Sequence, residues 1–341
     1  MVLDSEQLAS LFPKTDSTLT NSKATDKVSF ADKDGQFRRV ESKFRQHIPS
    51  DKFPAERDRY VLYINYSCPW AHRANLVRCL KGLEDVIQLI EVDSMDPRPG
   101  KGWYFSGTTG PEQDPLYGGK YLRDLYERAD PGYEGRVTVP TLWDKKNETI
   151  VNNESSEIIR FLSDAFDDML PPEKREANKG TAALLPSHLR EEIDALNAWV
   201  YNDINNGVYK VGFGSTQESY DQNITPLFAA LDRVEEHLGI PAHQPYLFGE
   251  HITEADIRLY TTIVRFDVAY YTLFRCNLKM IRHDYPRIHE WLRTLYWDES
   301  ERTNGGAFMN TTKFALIKAG YSRASQSKVV PAGPVPDILP L

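Results

Sequence analysis

The chain has 341 residues, 26% of them charged and 40% hydrophobic, with 49 acidic against 41 basic side chains and a formal net charge of −8. That length accommodates two domains and a substantial core, and the acidic balance, without any Lys/Arg cluster, argues against nucleic acid or an anionic membrane as the main partner. No apolar run is long enough to cross a bilayer, the first residues carry no secretory pattern, and three cysteines suit a reducing compartment rather than a disulfide framework; a cytoplasmic protein is expected.

Residues 1–56 are polar and aperiodic, with Phe12, Phe30, Phe37 and Phe44 as scattered apolar anchors, and read as an extended arm over the body. Tyr60 to Ile64 reads as a buried strand. Ser67-Cys68-Pro69-Trp70-Ala71-His72-Arg73 follows and leads into helical spacing at Ala74, Leu76, Val77 and Leu80, with Gly82 as the stop. Pro69 suits the first helical turn, so Cys68 falls at the N-cap, facing free N–H groups and the positive end of the helix dipole. This placement predicts a stabilised thiolate, below the ~8.5 of a free thiol; a small buried cysteine is the alternative. A second strand over 86–92 completes a βαβ unit.

From 93 to 135 the pattern dissolves into a long Gly-, Pro- and Tyr-rich loop with one short helix near 121–126, and its aromatics argue against disorder. Val137 to Asp144 and Thr149 to Val151 read as a hairpin, with Pro140 at a strand start or in a cis turn. Asn153 to Glu157 then opens a helix. The order β-α-β, loop, β-β-α is that of a thioredoxin-like domain, in which a cysteine after the first strand faces a proline before a later one; here these are Cys68 and Pro140. The boundaries expected are an arm at 1–56, a thioredoxin-like domain at 57–168 containing the 93–135 loop, a linker at 169–186, a helical domain at 187–322 and a proline-rich tail at 323–341. In the helical part, spacing predicts helices over 191–201, 227–238 and 287–296. A further helix starts at Thr253-Glu254-Ala255-Asp256 with a capping-box signature and an Ile252/Ile257 staple.

A thioredoxin-like half joined to an all-helical half, with Cys-Pro-Trp-Ala after the first strand, resembles the cytosolic glutathione transferases. The Val139-Pro140 and Glu154-Ser155 pairs and the Ile252 to Ile257 staple match as well. More narrowly, Ser67 to Arg73, Gly102-Trp103, Arg136 to Asp144 and Ile204 to Lys210 look like the xi class, the S-glutathionyl-hydroquinone reductases related to the omega class. One departure stands out: the family usually carries a His-Tyr-Tyr run where this chain has Ala319-Gly320-Tyr321-Ser322.

The resemblance implies glutathione as co-substrate, no metal, a homodimer and catalysis by Cys68. Ala71 leaves no Cys-x-x-Cys partner, and Cys79 lies roughly 16 Å along the helix axis at ~1.5 Å per residue, beyond disulfide reach; Cys276 reads as structural. An external thiol must therefore resolve any mixed disulfide. Glutathione is expected on the backbone of Val139 beside Pro140, on the helix start at Glu154 and Ser155, under Trp103, and with its glycyl carboxylate near Arg136, although Arg136 reads equally well as a surface residue. Tyr201, Tyr209 and Tyr321 are candidates for the oxygens of a quinol between the domains. His72 is not expected to be a base. An omega-type thioltransferase or dehydroascorbate reductase, and a non-enzymatic binding module on the same fold, are the rival readings.

Overall fold

Five consecutive apolar residues, Tyr60–Ile64, form β1, all of them buried. The computed structural model describes residues 30–96, 98, 101–327 and 329–334. β1 pairs in parallel with β2 (Gln88–Glu91) across the helix α1 (Pro69–Leu80), as the apolar pattern requires. Gly82 follows α1 with φ of +69°, the left-handed conformation that lets the chain leave the helix and that glycine adopts without penalty.

Strands β3 (Ser94–Asp96) and β4 (Gly102–Tyr104) make a separate hairpin, and helix α2 (Leu122–Ala129) follows. The segment expected as a long loop is thus partly regular. Three-residue strands are too short to show alternation, which is why the pattern hides them. Asp93 organises what remains: its carboxylate accepts from the backbone N–H groups of Ser106, Thr108 and Thr109 and from the Ser106 hydroxyl.

β5 (Thr141–Asp144) and β6 (Thr149–Asn152) complete a four-stranded sheet in the order β2-β1-β5-β6, with β5 antiparallel to both neighbours. Pro140 immediately precedes β5, so the proline costs no ladder hydrogen bond; the Val139–Pro140 peptide is cis. Helix α3 (Ser155–Asp164) packs with α1 on the sheet. The outer edge of β6 is covered by the arm: Arg45 bridges Asn152 and Gln46 N–H donates to Val151, which leaves no open edge there for another chain. Phe30 stacks on Phe213 at 4.4 Å, and Phe37, Ile48 and Phe53 are buried. Phe12 and the rest of 1–29 lie outside the described residues, as do 335–341 of the tail; Ala332 and Pro334 are held by Lys318.

Short 3₁₀ turns between Pro172 and Leu189 lead into an all-helical half. Its principal helices are α4 (Arg190–Trp199), α5 (Gly207–Phe213), α6 (Gln217–His237), α7 (Glu254–Arg265), α8 (Pro286–Tyr296), α9 (Ala307–Thr311) and α10 (Phe314–Ala324). The fold is a thioredoxin-like domain followed by a helical domain. α6 begins ten residues before the apolar spacing suggests, because Thr216 caps Ser219 N–H and the first turns are polar, with Pro226 inside. At α7 the expected capping box is present. Asp256 accepts from the N–H and hydroxyl of Thr253, and its other oxygen from Leu247 N–H and Trp291 Nε1. Among the described residues no helix is long and apolar enough to cross a membrane.

Candidate active site

The turn from β1 to α1 is fixed from both halves. Asn65 donates to Val92 O and accepts from Ser67 N–H, and Cys68 N–H donates to Asn65 O. From the last turn of α7, the fully buried Arg265 donates to Tyr66 O at 3.0 Å, Ser67 O at 3.1 Å and His72 Nδ1 at 2.9 Å. Because a guanidinium only donates, His72 Nδ1 is an acceptor and Nε2–H faces Thr311 Oγ1 at 2.9 Å. Burial and the Arg265 charge hold His72 far below its ordinary value. It is a neutral strut between α1, α7 and α9.

Cys68 is the N-cap of α1 in extended backbone, half-buried, with Sγ 3.5 Å from Val139 O. From the N-cap position alone, the helix terminus should lower its thiol pKa. The opposite direction holds here. Burial pushes the Cys68 thiol up, and the amides of Ala71 and Trp70 with the charges of Arg265 and Arg39 only partly oppose it. Desolvation of the anion outweighs the free N–H groups.

Three phenols lie in one hydrogen-bonded chain: Tyr209 OH to Tyr321 OH at 2.8 Å, and Tyr321 OH to Tyr270 OH at 2.8 Å. Burial raises Tyr209 to about 12 and holds Tyr270 and Tyr321 well above their ordinary value, so all three stay protonated. Two bonds between three hydroxyls use two protons, leaving one to donate to a ligand. Tyr209 and Tyr321 are thus brought together, while Tyr201 stands apart with its ring 5.8 Å from that of Trp70. Tyr270 was not foreseen. It and Tyr201 sit in π-helical segments, Phe266–Tyr270 and Val200–Asn205, whose wider turn no hydrophobic period announces.

Glu154 caps α3, its carboxylate accepting from the N–H and hydroxyl of Ser156 and from Ser42 Oγ of the arm; Ser155 is buried beside it. Trp103 is half-buried in β4, opposite Met95, and Gly102 lies against Val137. Arg136 is exposed, and its side chain makes no hydrogen bond or ion pair among the described residues. No hydrogen bond or ring contact among the described residues joins Trp103, Arg136 or Tyr201 to Cys68.

Tyr321 is set in place by a close approach of α10 to the cysteine turn. A Cβ on Gly320 would lie 2.3 Å from Ser67 Cβ and 2.4 Å from its Oγ, closer than carbon atoms can stand. At position 320 of the run that departs from His-Tyr-Tyr, a side chain is therefore excluded unless Ser67 moves. Gly320→Ala is expected to lift α10 off the turn, at a cost of about 1–3 kcal/mol and about 10²-fold in kcat/KM through displacement of Tyr321. Adding Ser67→Gly, which removes the opposing Cβ, restores most of both; steady-state kinetics and melting of the single and double variants check it.

Comparison with known proteins agrees with this architecture. Residues 67–165 match the model of the glutathione S-transferase N-terminal domain, and residues 217–294 that of the C-terminal domain. The chain is 47% identical over 327 residues to glutathione S-transferase omega-like 2 of Schizosaccharomyces pombe, covering 94% of this chain and 99% of that one. It is 45% identical over 275 residues to the glutathionyl-hydroquinone reductase YqjG of Escherichia coli, covering 77% and 79%. The crystal structure of the xi glutathione transferase ECM4 of Saccharomyces cerevisiae in complex with glutathione superposes with a TM-score of 0.81 at 37% identity, covering 90% and 99%. The chain belongs to the glutathione transferase family, in its xi class.

Proposed function

We propose that this protein is a glutathione-dependent reductase that removes glutathione from S-glutathionyl-hydroquinones by thiol exchange at Cys68, releasing hydroquinone and glutathione disulfide. The observation that carries the reading is the pairing of a thiol outside any disulfide, at a helix start, with a buried phenol chain that keeps one proton for a ligand. The relatives named for glutathionyl-hydroquinone reduction and for glutathione binding support it.

In this reading the Cys68 thiolate attacks the sulfur of the conjugate. The new bond is Cys68–S–S–glutathione. The bond that breaks is sulfur to ring carbon, in the tautomer whose sulfur-bearing carbon is saturated, so the electron pair passes to the adjacent carbonyl oxygen and the ring departs as a phenolate that takes one proton. A second glutathione thiolate attacks the bound glutathione sulfur, releasing the disulfide and restoring Cys68. Ping-pong kinetics follow. Glutathione lies along Val139 and Pro140 as an added strand, with its γ-glutamyl end at Glu154 and Ser155 and with Trp103 and Arg136 flanking it. The quinol faces Tyr201, Tyr209, Tyr270 and Tyr321. We further propose a cytoplasmic homodimer with a glutathione-binding domain over 57–168 and a helical substrate domain over 187–322.

The test is turnover of glutathionyl-hydroquinone beside dehydroascorbate and a glutathione mixed disulfide. A kcat/KM highest for the hydroquinone conjugate supports the reading; a preference for dehydroascorbate or the mixed disulfide replaces it with the omega-type one, in line with the omega-like name of the fission-yeast relative.

A further inference from the structure

Arg39, 29 positions before Cys68, is a cation without a counter-ion among the described residues. Its guanidinium carbon stands 4.3 Å from the Trp70 ring centroid, 5.0 Å from that of Tyr209 and 5.5 Å from that of Phe37. Trp70 carries the guanidinium of Arg73 at 4.6 Å as well. Nε of Arg39 donates to Asn206 Oδ1 at 2.6 Å. Among the described residues no carboxylate pairs with Arg39, and its two terminal NH₂ groups have no hydrogen-bond partner. Most other arginines of the arm and sheet are spent on carboxylates: Arg38 on Asp34, Arg45 on Glu157 and Arg59 on Asp144.

The arm that delivers Arg39 is anchored on both sides of it. Gln36 is bonded to Ser219, Gln222 and Asn223 of α6, and Ser42 to Glu154 at the start of α3. A half-buried guanidinium, clamped at Nε by an amide and packed among aromatic rings, has lost much of its hydration and still offers a planar fork of donors. Such a group is poised for an anion that forms only in the site. Tyr209, on whose ring it rests, belongs to the phenol chain that retains one proton for a ligand oxygen.

We propose that Arg39 is a catalytic residue that donates to the phenolate oxygen of the departing hydroquinone, so that the N-terminal arm supplies the oxyanion contact of the first half-reaction. This rests on the functional reading above. The charge on that oxygen is absent in the bound conjugate and appears as the carbon–sulfur bond breaks, which is where a preorganised donor accelerates rather than merely binds.

The experiment compares Arg39→Ala and Arg39→Lys with the wild-type full chain on glutathionyl-hydroquinones whose ring substituents vary the acidity of the phenol, and on a cysteine–glutathione mixed disulfide, where a thiolate leaves instead. Expected is a loss of kcat/KM for Arg39→Ala about 10²-fold greater on the unsubstituted conjugate than on the mixed disulfide, shrinking as the phenol becomes more acidic and partly restored by Arg39→Lys. Equal losses on the two substrate classes, or a loss independent of phenol acidity, overturn the proposal and leave Arg39 acting through Cys68 or through packing. If the wild-type protein does not turn over the conjugate while reducing the mixed disulfide, the functional reading fails and takes this proposal with it.

Discussion

Replacing Cys68 with serine is expected to lower glutathione-dependent reductase activity by about three orders of magnitude or more, with the fold intact. A hydroxyl cannot form the mixed disulfide, and no neighbouring thiol takes over. Cys276 is completely buried and its thiol is pushed well up, and burial raises Cys79 to about 12. The backbone of the turn does not depend on sulfur: its hydrogen bonds run through Asn65, Ser67 and Arg265. An unchanged melting temperature with lost turnover is the expected pair of measurements. Full activity in Cys68→Ser removes every thiol-exchange reading at once.

The largest expected effect on stability lies far from the chemistry, at Asp256. Its buried carboxylate receives four donors from three segments: Thr253 N–H and Oγ1 at the helix start, Leu247 N–H in the preceding loop, and Trp291 Nε1 on α8. Burial works against the charge, yet removing the side chain strands all four donors without water. Asp256→Ala is therefore expected to destabilise the chain by about 3–5 kcal/mol. Asp256→Asn, which keeps one acceptor oxygen but turns an NH₂ toward donors, should fall between. Denaturant titration measures both, and a midpoint unchanged in the alanine variant contradicts the account. Since α7 ends at Arg265, whose guanidinium holds the cysteine turn, the same substitution should also loosen the site under partly denaturing conditions.

Much of this was legible in the residues. β1, α1 and β2 declare themselves because a fully apolar strand, a proline in the first helical turn and a glycine exit are local features. The N-cap position of Cys68, the proline before β5 and the capping box of α7 follow from the same kind of short-range chemistry. What stayed hidden depends on separation along the chain. Arg39 reaches Trp70 across 31 positions of an aperiodic arm, and no pattern in Gln36 to Phe44 marks it. Tyr270 is one tyrosine among 18 until a π-helical turn aims it at Tyr321. α10 passes unnoticed because a helix that buries Tyr321 and Ser322 beside Gly320 carries no clean apolar stripe. The direction of the Cys68 shift is hidden for a related reason: the helix terminus is visible in sequence, whereas the burial of the turn beneath the helical half is not.

If the proposed exchange runs through Cys68 alone, modification by glutathione is confined to that residue. Intact-mass measurement after incubation with glutathione disulfide shows which thiol reacts. One added glutathionyl group is expected on the wild-type chain and on Cys79→Ser and Cys276→Ser, released by excess glutathione, and none on Cys68→Ser. An adduct that persists in Cys68→Ser, or that disappears in Cys79→Ser, contradicts it.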